Sequence, residues 1–311
     1  MKQLAKYLFA FFVLALLFFA VDLRALGSAL THLNFANISF LLIISVVLIY
    51  ISALKWGLFL ENLGMPTGVW RLFCLYLLGY FVNLILPSFV GGDAVRSWYL
   101  GKKVGQHEAL SSTILERYTG FVAMIALAFA VMWCVPTVTL EMWLIVSVAV
   151  IGLVIGTWLC LSERVPIILE QIELVQRFVP HIVKVQSGLH LAKQNRGLLL
   201  KSLCLSFLFH VIAVVNTLAA AWAVGWHPAS IAELCVVVPI VLLFTAIPLT
   251  PNGLGIQEGA FFYFLQIAGA RPEQALGVAL VLRAKQYVLG LLGGIVWIGE
   301  RGADVPETAA A

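Results

Sequence analysis

Long runs that are apolar on every side, parted by short polar gaps, set the pattern of this chain. Phe40 to Tyr50 shows none of the every-second-residue polarity that the strands of a transmembrane barrel carry, so a barrel is excluded. The runs last about 20 residues, the length a helix needs to cross roughly 30 Å of hydrocarbon. Membrane helices are predicted at about 4–21, 38–60, 111–134, 142–161, 198–224 and 275–298. The expected fold class is all-α, a polytopic transmembrane helical bundle.

Two further apolar stretches, about 71–100 and about 233–268, are interrupted. The first contains Leu86-Pro87-Ser88-Phe89-Val90-Gly91-Gly92-Asp93, the second Ile247-Pro248-Leu249-Thr250-Pro251-Asn252-Gly253-Leu254-Gly255. Proline removes a backbone donor and clashes with the preceding turn, so no straight helix runs through either cluster. Pro87 is expected to orphan the carbonyl of Asn83, and Pro248 and Pro251 those of Phe244 and Ile247. Asn83, Thr245, Thr250 and Asn252 stand near enough to compensate. Irregular backbone at membrane depth survives only where protein or a cavity satisfies it, which makes both clusters site candidates.

Basic residues decide how the broken stretches sit. Lys2 and Lys6 place the N-terminus in the cytoplasm, Arg24 stands alone in the first external loop, and Arg71 returns to the cytoplasm. A single crossing by 71–100 would put Lys102 and Lys103 outside, whereas a re-entrant hairpin brings them back. Arg164, Arg177, Lys184, Lys193, Arg196 and Lys201 mark a linker of about 162–197 as cytoplasmic. That linker reads either as an amphipathic surface helix or as a plain helical extension. The turn at 225–230 is uncharged and external, so the second hairpin enters from outside and the last helix runs inward to Glu300 and Arg301. The two hairpins thus form an inverted-repeat arrangement, and each cluster repeats an order: Pro87, Gly91, Gly92, Asp93 against Pro248, Gly253, Gly255, Glu258. Residues 1–303 are expected as a single integral domain of the cytoplasmic (plasma or inner) membrane with both termini cytoplasmic, and 304–311 as a disordered tail. The first apolar stretch exceeds the core of a signal peptide, which favours an uncleaved helix.

Composition narrows the function classes. Of 311 residues, 62% are hydrophobic and 11% charged, against roughly 25% charged in a soluble domain. The net charge of +4 resides in short loops, so it implies no nucleic acid. Cys74, Cys134, Cys160, Cys204 and Cys235 stand singly, with no CxxC pair and no His at ligand spacing, and neither metal nor cofactor is expected.

Candidate chemistry gathers at the breaks. A helix restarting after Gly91-Gly92 or Gly253-Leu254-Gly255 points unpaired N–H groups and a positive dipole end into the membrane, which favours anions. A charge at mid-bilayer costs about 2.5–3.5 kcal/mol on insertion scales and faces a cavity or a partner. Asp93 and Arg96, at i and i+3, can pair, either as part of a site or as an ion pair that only fixes the hairpin. Glu116 and Arg117 are adjacent on a helix and therefore point in different directions. Arg283 and Lys285 lie deep in the last helix, about 200° apart around its axis, so both face one cavity only if the helix is distorted. Arg283 is the stronger candidate, with Glu258 its natural partner. His210 reads as a satisfied buried histidine rather than a proton relay. The candidate substrate-binding set is Asn83, Pro87, Gly91, Gly92, Asp93, Arg96, Glu116, Arg117, Thr250, Pro251, Asn252, Gly253, Gly255, Glu258, Arg283 and Lys285.

The succession Asn83-Leu84-Ile85-Leu86-Pro87, Gly91-Gly92-Asp93, Arg96, Glu116-Arg117, then Pro248 to Gly255 with Glu258, resembles the lysylphosphatidylglycerol synthase transmembrane-region family, also called flippase-like. The resemblance covers nearly the whole chain. It implies an eight-segment bundle with re-entrant pieces, associated with moving lipids between leaflets; other members accompany lipid glycosylation. Full synthases add a large soluble aminoacyl-transferase domain, which is absent from this sequence, so aminoacyl transfer is not expected of it.

The leading expectation is a translocase, not an enzyme, that holds the anionic headgroup of a phospholipid or polyprenyl-phosphate-type lipid while the tails stay in the bilayer. A membrane-embedded transferase using Asp93, Glu116 or Glu258 as base is the second, although the linker is too short to fold alone as a donor-binding domain. The third is an accessory subunit presenting lipid to a separate lipid-modifying transferase.

Overall fold

The computed structural model describes residues 2–31, 33, 35–85, 91–162, 186, 195–247 and 249–303. Pro87, Pro248, most of the expected linker and the tail lie outside the described residues. The described residues form helices without strands: α1 Lys2–Phe19, α2 Leu23–Thr31, α3 Phe35–Asn62, α4 Val69–Ile85, α5 Gly91–Val104, α6 Gln106–Val131, α7 Leu140–Leu161, α8 Arg196–Ala223, α9 Ile231–Ala246, α10 Ile256–Ile267 and α11 Pro272–Ala303. Short 3-10 turns follow α6 at Met132–Cys134 and precede α10 at Pro251–Gly253.

Among the described residues five helices are long and apolar enough to cross a membrane, α3, α6, α7, α8 and α11, and α1 with α2 adds a sixth if a pair bent by 90° counts as one span. Their outward faces suit lipid and not water: along α7, Leu144, Val148, Ile151 and Ile155 are exposed at helical spacing. Helix α2 occupies what the sequence pattern left as a loop. Asp22 starts it, its Oδ1 accepting from the amides of Arg24 at 2.8 Å and Ala25 at 3.4 Å.

Contacts between helix ends sort the connections onto two ends of the bundle. Asn195 donates to Asn62 at 3.0 Å, placing the start of α8 beside the end of α3. At the other end Thr137 donates to Glu233, and Gln274 to the carbonyl of Gly225, gathering the α6–α7, α8–α9 and α10–α11 connections. Helices α4 and α5 pack antiparallel: Asn83 lies on Gly92, Gly79 on Gly92 and the Arg96 stem, and Tyr76 on the Arg96 guanidinium. Helices α9 and α10 do the same, with Thr245 on Gly253 and Phe244 on Phe264 at 5.9 Å between ring centroids. The first hairpin starts and ends at the Asn62 end, the second at the Glu233 end.

Helix α11 joins the two. Its first half packs into the large core shared with α6, α8, α9 and α10, and its second half into a separate core with α3, α4 and α5. Gly290, Gly293 and Gly294 let α4 approach closely: a Cβ on Gly293 would run into the carbonyl of Leu77, and one on Gly294 would lie 3.1 Å from the Phe81 ring. Small residues allow such approach between membrane helices.

Candidate functional site

Each hairpin tip carries a buried ion cluster. At the first, α5 begins at Gly91, and the amide of Gly92 donates to Asn83 Oδ1 at 2.8 Å, capping the helix from α4. Gly92 has no room for a side chain, since a Cβ would lie 2.8 Å from the Asn83 amide group. One turn on, Arg96 is 1% exposed, with its guanidinium carbon 4.4 Å from the ring centre of Trp56 and 4.0 Å from that of Tyr76. Its Nε donates to Asp93 at 2.9 Å and its Nη2 to Glu116 at 2.9 Å. Glu116 also pairs with Lys55 at 3.0 Å, and Arg117 donates from Nε and Nη2 to both oxygens of Asp93 at 2.8 and 2.7 Å.

Glu116 and Arg117 therefore converge on one network, against the expectation from their adjacency. The long Arg117 side chain reaches across the 100° that separates neighbours on a helix. Among the described residues the network holds three cations, Lys55, Arg96 and Arg117, and two carboxylates, Asp93 and Glu116. Arg96 Nη1 is buried with no hydrogen-bond partner among the described residues. Arg117 is the open member, its side chain 42% exposed against 16% for Asp93 and 4% for Glu116. It follows Gln106 by eleven residues, about 16 Å of helix, halfway along a span.

At the second tip the chain turns through Pro251–Gly253 with Asn252 at φ 48° and Gly255 at φ 81°, both left-handed. Gly255 is obligatory there, because a Cβ would also lie 2.9 Å from the carbonyl of Ala10. Its amide donates to Glu258 Oε2 at 2.7 Å. Arg283 pairs with Glu258 through Nε and donates to the carbonyls of Asn252 at 3.0 Å and Gly253 at 3.2 Å, and to Gln286 at 3.0 Å. Gln286 donates in turn to Gln257 at 3.2 Å. Lys285 points away from this site and donates to Asn216 on α8, which donates to Ser45 on α3.

The backbone accounting differs from expectation. The carbonyl of Phe244 accepts from Ile247 at 3.3 Å and that of Ile247 from Leu249 at 2.8 Å, so the prolines leave neither orphaned. Short-range turns close what the α-helical ladder cannot. Thr245 donates to its own helix, at the carbonyl of Leu242, and the Thr250 hydroxyl is buried without a partner among the described residues. The restarting amides of Gly92 and Gly255 are also taken, by Asn83 and Glu258. Each restarting helix thus has one early amide already bonded and a side-chain ion cluster beside it.

Sequence reasoning missed Lys55, Trp56, Tyr76, Gln257 and Gln286. Lys55 stands seven residues before the end of α3, where a lysine passes for one that snorkels to the interface. Its partner Glu116 is distant in sequence, and no local pattern joins them. Among the described residues no group of three His, Cys, Asp or Glu side chains is arranged to hold a metal.

A family model described as the lysylphosphatidylglycerol synthase TM region matches residues 3–294. The chain is similar to a UPF0104 membrane protein of Methanothermobacter thermautotrophicus, 22% identical over 289 residues and covering 85% of each chain. It is also similar to one of Methanocaldococcus jannaschii, 22% identical over 307 residues, 92% of this chain and 90% of the relative. No solved structure matches it. With apolar spans and a family match over nearly its full length, this integral membrane protein belongs to the lysylphosphatidylglycerol synthase TM region family.

Proposed function

We propose that the protein binds the anionic headgroup of a phospholipid or polyprenyl-phosphate-type lipid and carries it between leaflets, leaving the tails in the bilayer. The observation that carries this reading is the buried, cation-rich network of Lys55, Asp93, Arg96, Glu116 and Arg117, three cations to two carboxylates among the described residues, with the Arg117 side chain half open. Leu86 to Val90, which join α4 to α5 in the sequence, contain no ionisable side chain. A cation-rich site halfway through a membrane favours an anion, and a phosphate drawn to Arg117 and Arg96 forms charge-assisted hydrogen bonds there.

In this reading the Asn62 end is cytoplasmic, because Arg71, Lys102, Lys103 and Arg196 collect there, and both termini lie on that side. The first hairpin re-enters from the cytoplasm and the second from outside. Asn83, Gly91 and Gly92 shape the first site, and Pro87 belongs to the same candidate set. Thr250, Pro251, Asn252, Gly253 and Gly255 shape the second, which Arg283 and Glu258 hold together. Movement of one hairpin against the other around α11 alternates access. The family description names a synthase, which supports a second reading, an accessory subunit that presents lipid to a transferase.

Purified protein in phosphatidylcholine vesicles, doped with fluorescent phosphatidylglycerol or fluorescent phosphatidylcholine and quenched from outside with dithionite, separates the readings. Translocation predicts faster loss of the protected signal from the anionic probe than in protein-free vesicles, with little change for the zwitterionic one. Protein-free rates for both probes would refute transport by the protein alone, and co-purification of a transferase would then favour the accessory role.

A further inference from the structure

The two tips use their cations differently. At the first, Arg96 Nη1 has no hydrogen-bond partner among the described residues and the Arg117 side chain is half open. At the second, Arg283 is buried and almost every donor it has is taken. A guanidinium carries five N–H bonds. Nε donates to Glu258 Oε1, Nη1 to the carbonyl of Asn252 at 3.0 Å and to Gln286 Oε1 at 3.0 Å, and Nη2 to the carbonyl of Gly253 at 3.2 Å. Four of the five are thereby met, each by an oxygen, and the buried carboxylate of Glu258 balances the charge within the protein.

These same oxygens make up a cation site. Main-chain carbonyls, a carboxylate and a side-chain amide oxygen are the hard donors that bind hydrated metal cations once their water is stripped. In transporters with broken helices, unwound carbonyls of this kind hold coupling ions near the midplane. Here left-handed backbone at Asn252, φ 48°, and Gly253, φ 66°, shapes the turn that carries both carbonyls. Glu258 is fixed by its other oxygen, which accepts from the Gly255 amide at 2.7 Å, and Gln286 by its amide nitrogen, which donates to Gln257 at 3.2 Å. In the same turn the Thr250 hydroxyl is buried with no partner among the described residues, one oxygen more than the guanidinium uses. The cation itself comes from another element. Arg283 stands eleven residues after Pro272 on α11, about 16 Å of helix and halfway along a span, while the main-chain oxygens and Glu258 belong to the hairpin.

We infer that the second tip is a monovalent-cation site that the chain fills with its own guanidinium, Arg283 standing where a transporter of this build would hold a free coupling ion. The oxygens hold the Pro251–Gly253 turn against α11 only while a cation sits among them. Because that cation is covalently part of α11, no dissolved ion is required at this tip. Once the side chain is cut back to alanine, the vacated oxygens take free guanidinium, the ion of matching shape and charge. The inference concerns the second tip alone and does not depend on what the first one carries.

The test is thermal unfolding of purified Arg283→Ala in detergent, with guanidinium chloride, urea or choline chloride added at equal millimolar concentration. Loss of Arg283 leaves Glu258 buried without its partner, so the midpoint falls below that of the wild type. Guanidinium restores most of the lost degrees, as a ligand that binds only the folded form must. Urea has the shape without the charge, choline the charge without the shape, and neither restores them. The wild type, its site already filled, does not move, and Arg283→Ala combined with Glu258→Gln loses the guanidinium response. A rise with guanidinium no larger than with urea or choline, or an equal rise in the wild type, overturns the site. Should Arg283→Ala not survive extraction, Arg283→Lys against Arg283→Gln decides it: lysine brings a compact cation to the same oxygens and unfolds above the neutral variant, and an equal or reversed order overturns the site.

Discussion

Arg96 is gripped by two carboxylates and flanked by two aromatic rings. Removing one partner of a buried ion pair leaves a charge uncompensated and costs about 3–5 kcal/mol. Glu116→Gln strips the shared acid from both Lys55 and Arg96, and its thermal unfolding midpoint in detergent falls well below that of the wild type. Arg117 is half exposed, and Asp93 keeps a second cation, Arg96, when Arg117 is replaced. Arg117→Gln therefore unfolds within a few degrees of the wild type. Equal losses in the two variants would mean that the network is a structural lock throughout. At this scale the sequence revealed its charges better than their partners. Asp93, Arg96, Arg283 and Lys285 stand out because charges are rare in apolar runs. Lys55 does not, and the pairing of Glu116 with residues of α3 and α5 depends on packing that no local spacing records.

The hairpins are the elements on which the site depends, and α11 holds both by different means. Arg283 binds the second through side-chain and backbone acceptors, while Gly290, Gly293 and Gly294 admit α4 from the first. Gly293→Ala places a methyl group where the Leu77 carbonyl sits and lowers stability by about 1–3 kcal/mol, the usual cost of overpacking. Gly299→Ala, on the same helix with nothing within 4 Å, raises it by about 0.5–1 kcal/mol through helix propensity. Thermal midpoints moving in the same direction would contradict the close α4–α11 crossing. The long helices were legible because an apolar run of 20 or so residues has few alternatives in a membrane. Helix α2 was not, since its only local signals are the cap at Asp22 and a weak apolar stripe at Leu26 and Ala29.

For the whole molecule, contacts between helix ends sort the connections into two groups, which the proposed hairpins put on opposite sides of the membrane. Single cysteines at Gly68 and Lys103, in a cysteine-free background, are expected to react with an impermeant maleimide from one side of the membrane only. Cysteines at Ala229 and Arg271, also exposed, are expected to react from the other. Labelling of Gly68→Cys and Lys103→Cys from opposite sides would mean that α4 and α5 cross the membrane as one span. In the sequence the basic residues are what argue for this arrangement, because lysine and arginine bias the side on which a loop remains. The charge excess at the first tip was not visible there, since it requires α3, α5 and α6 to be counted together. The most direct measurement of its meaning is dithionite-resolved transfer of fluorescent phosphatidylglycerol by Arg117→Gln, a variant expected to stay folded while its cluster becomes neutral. Transfer falling to the protein-free rate is the predicted result, and transfer at the wild-type rate would contradict the account.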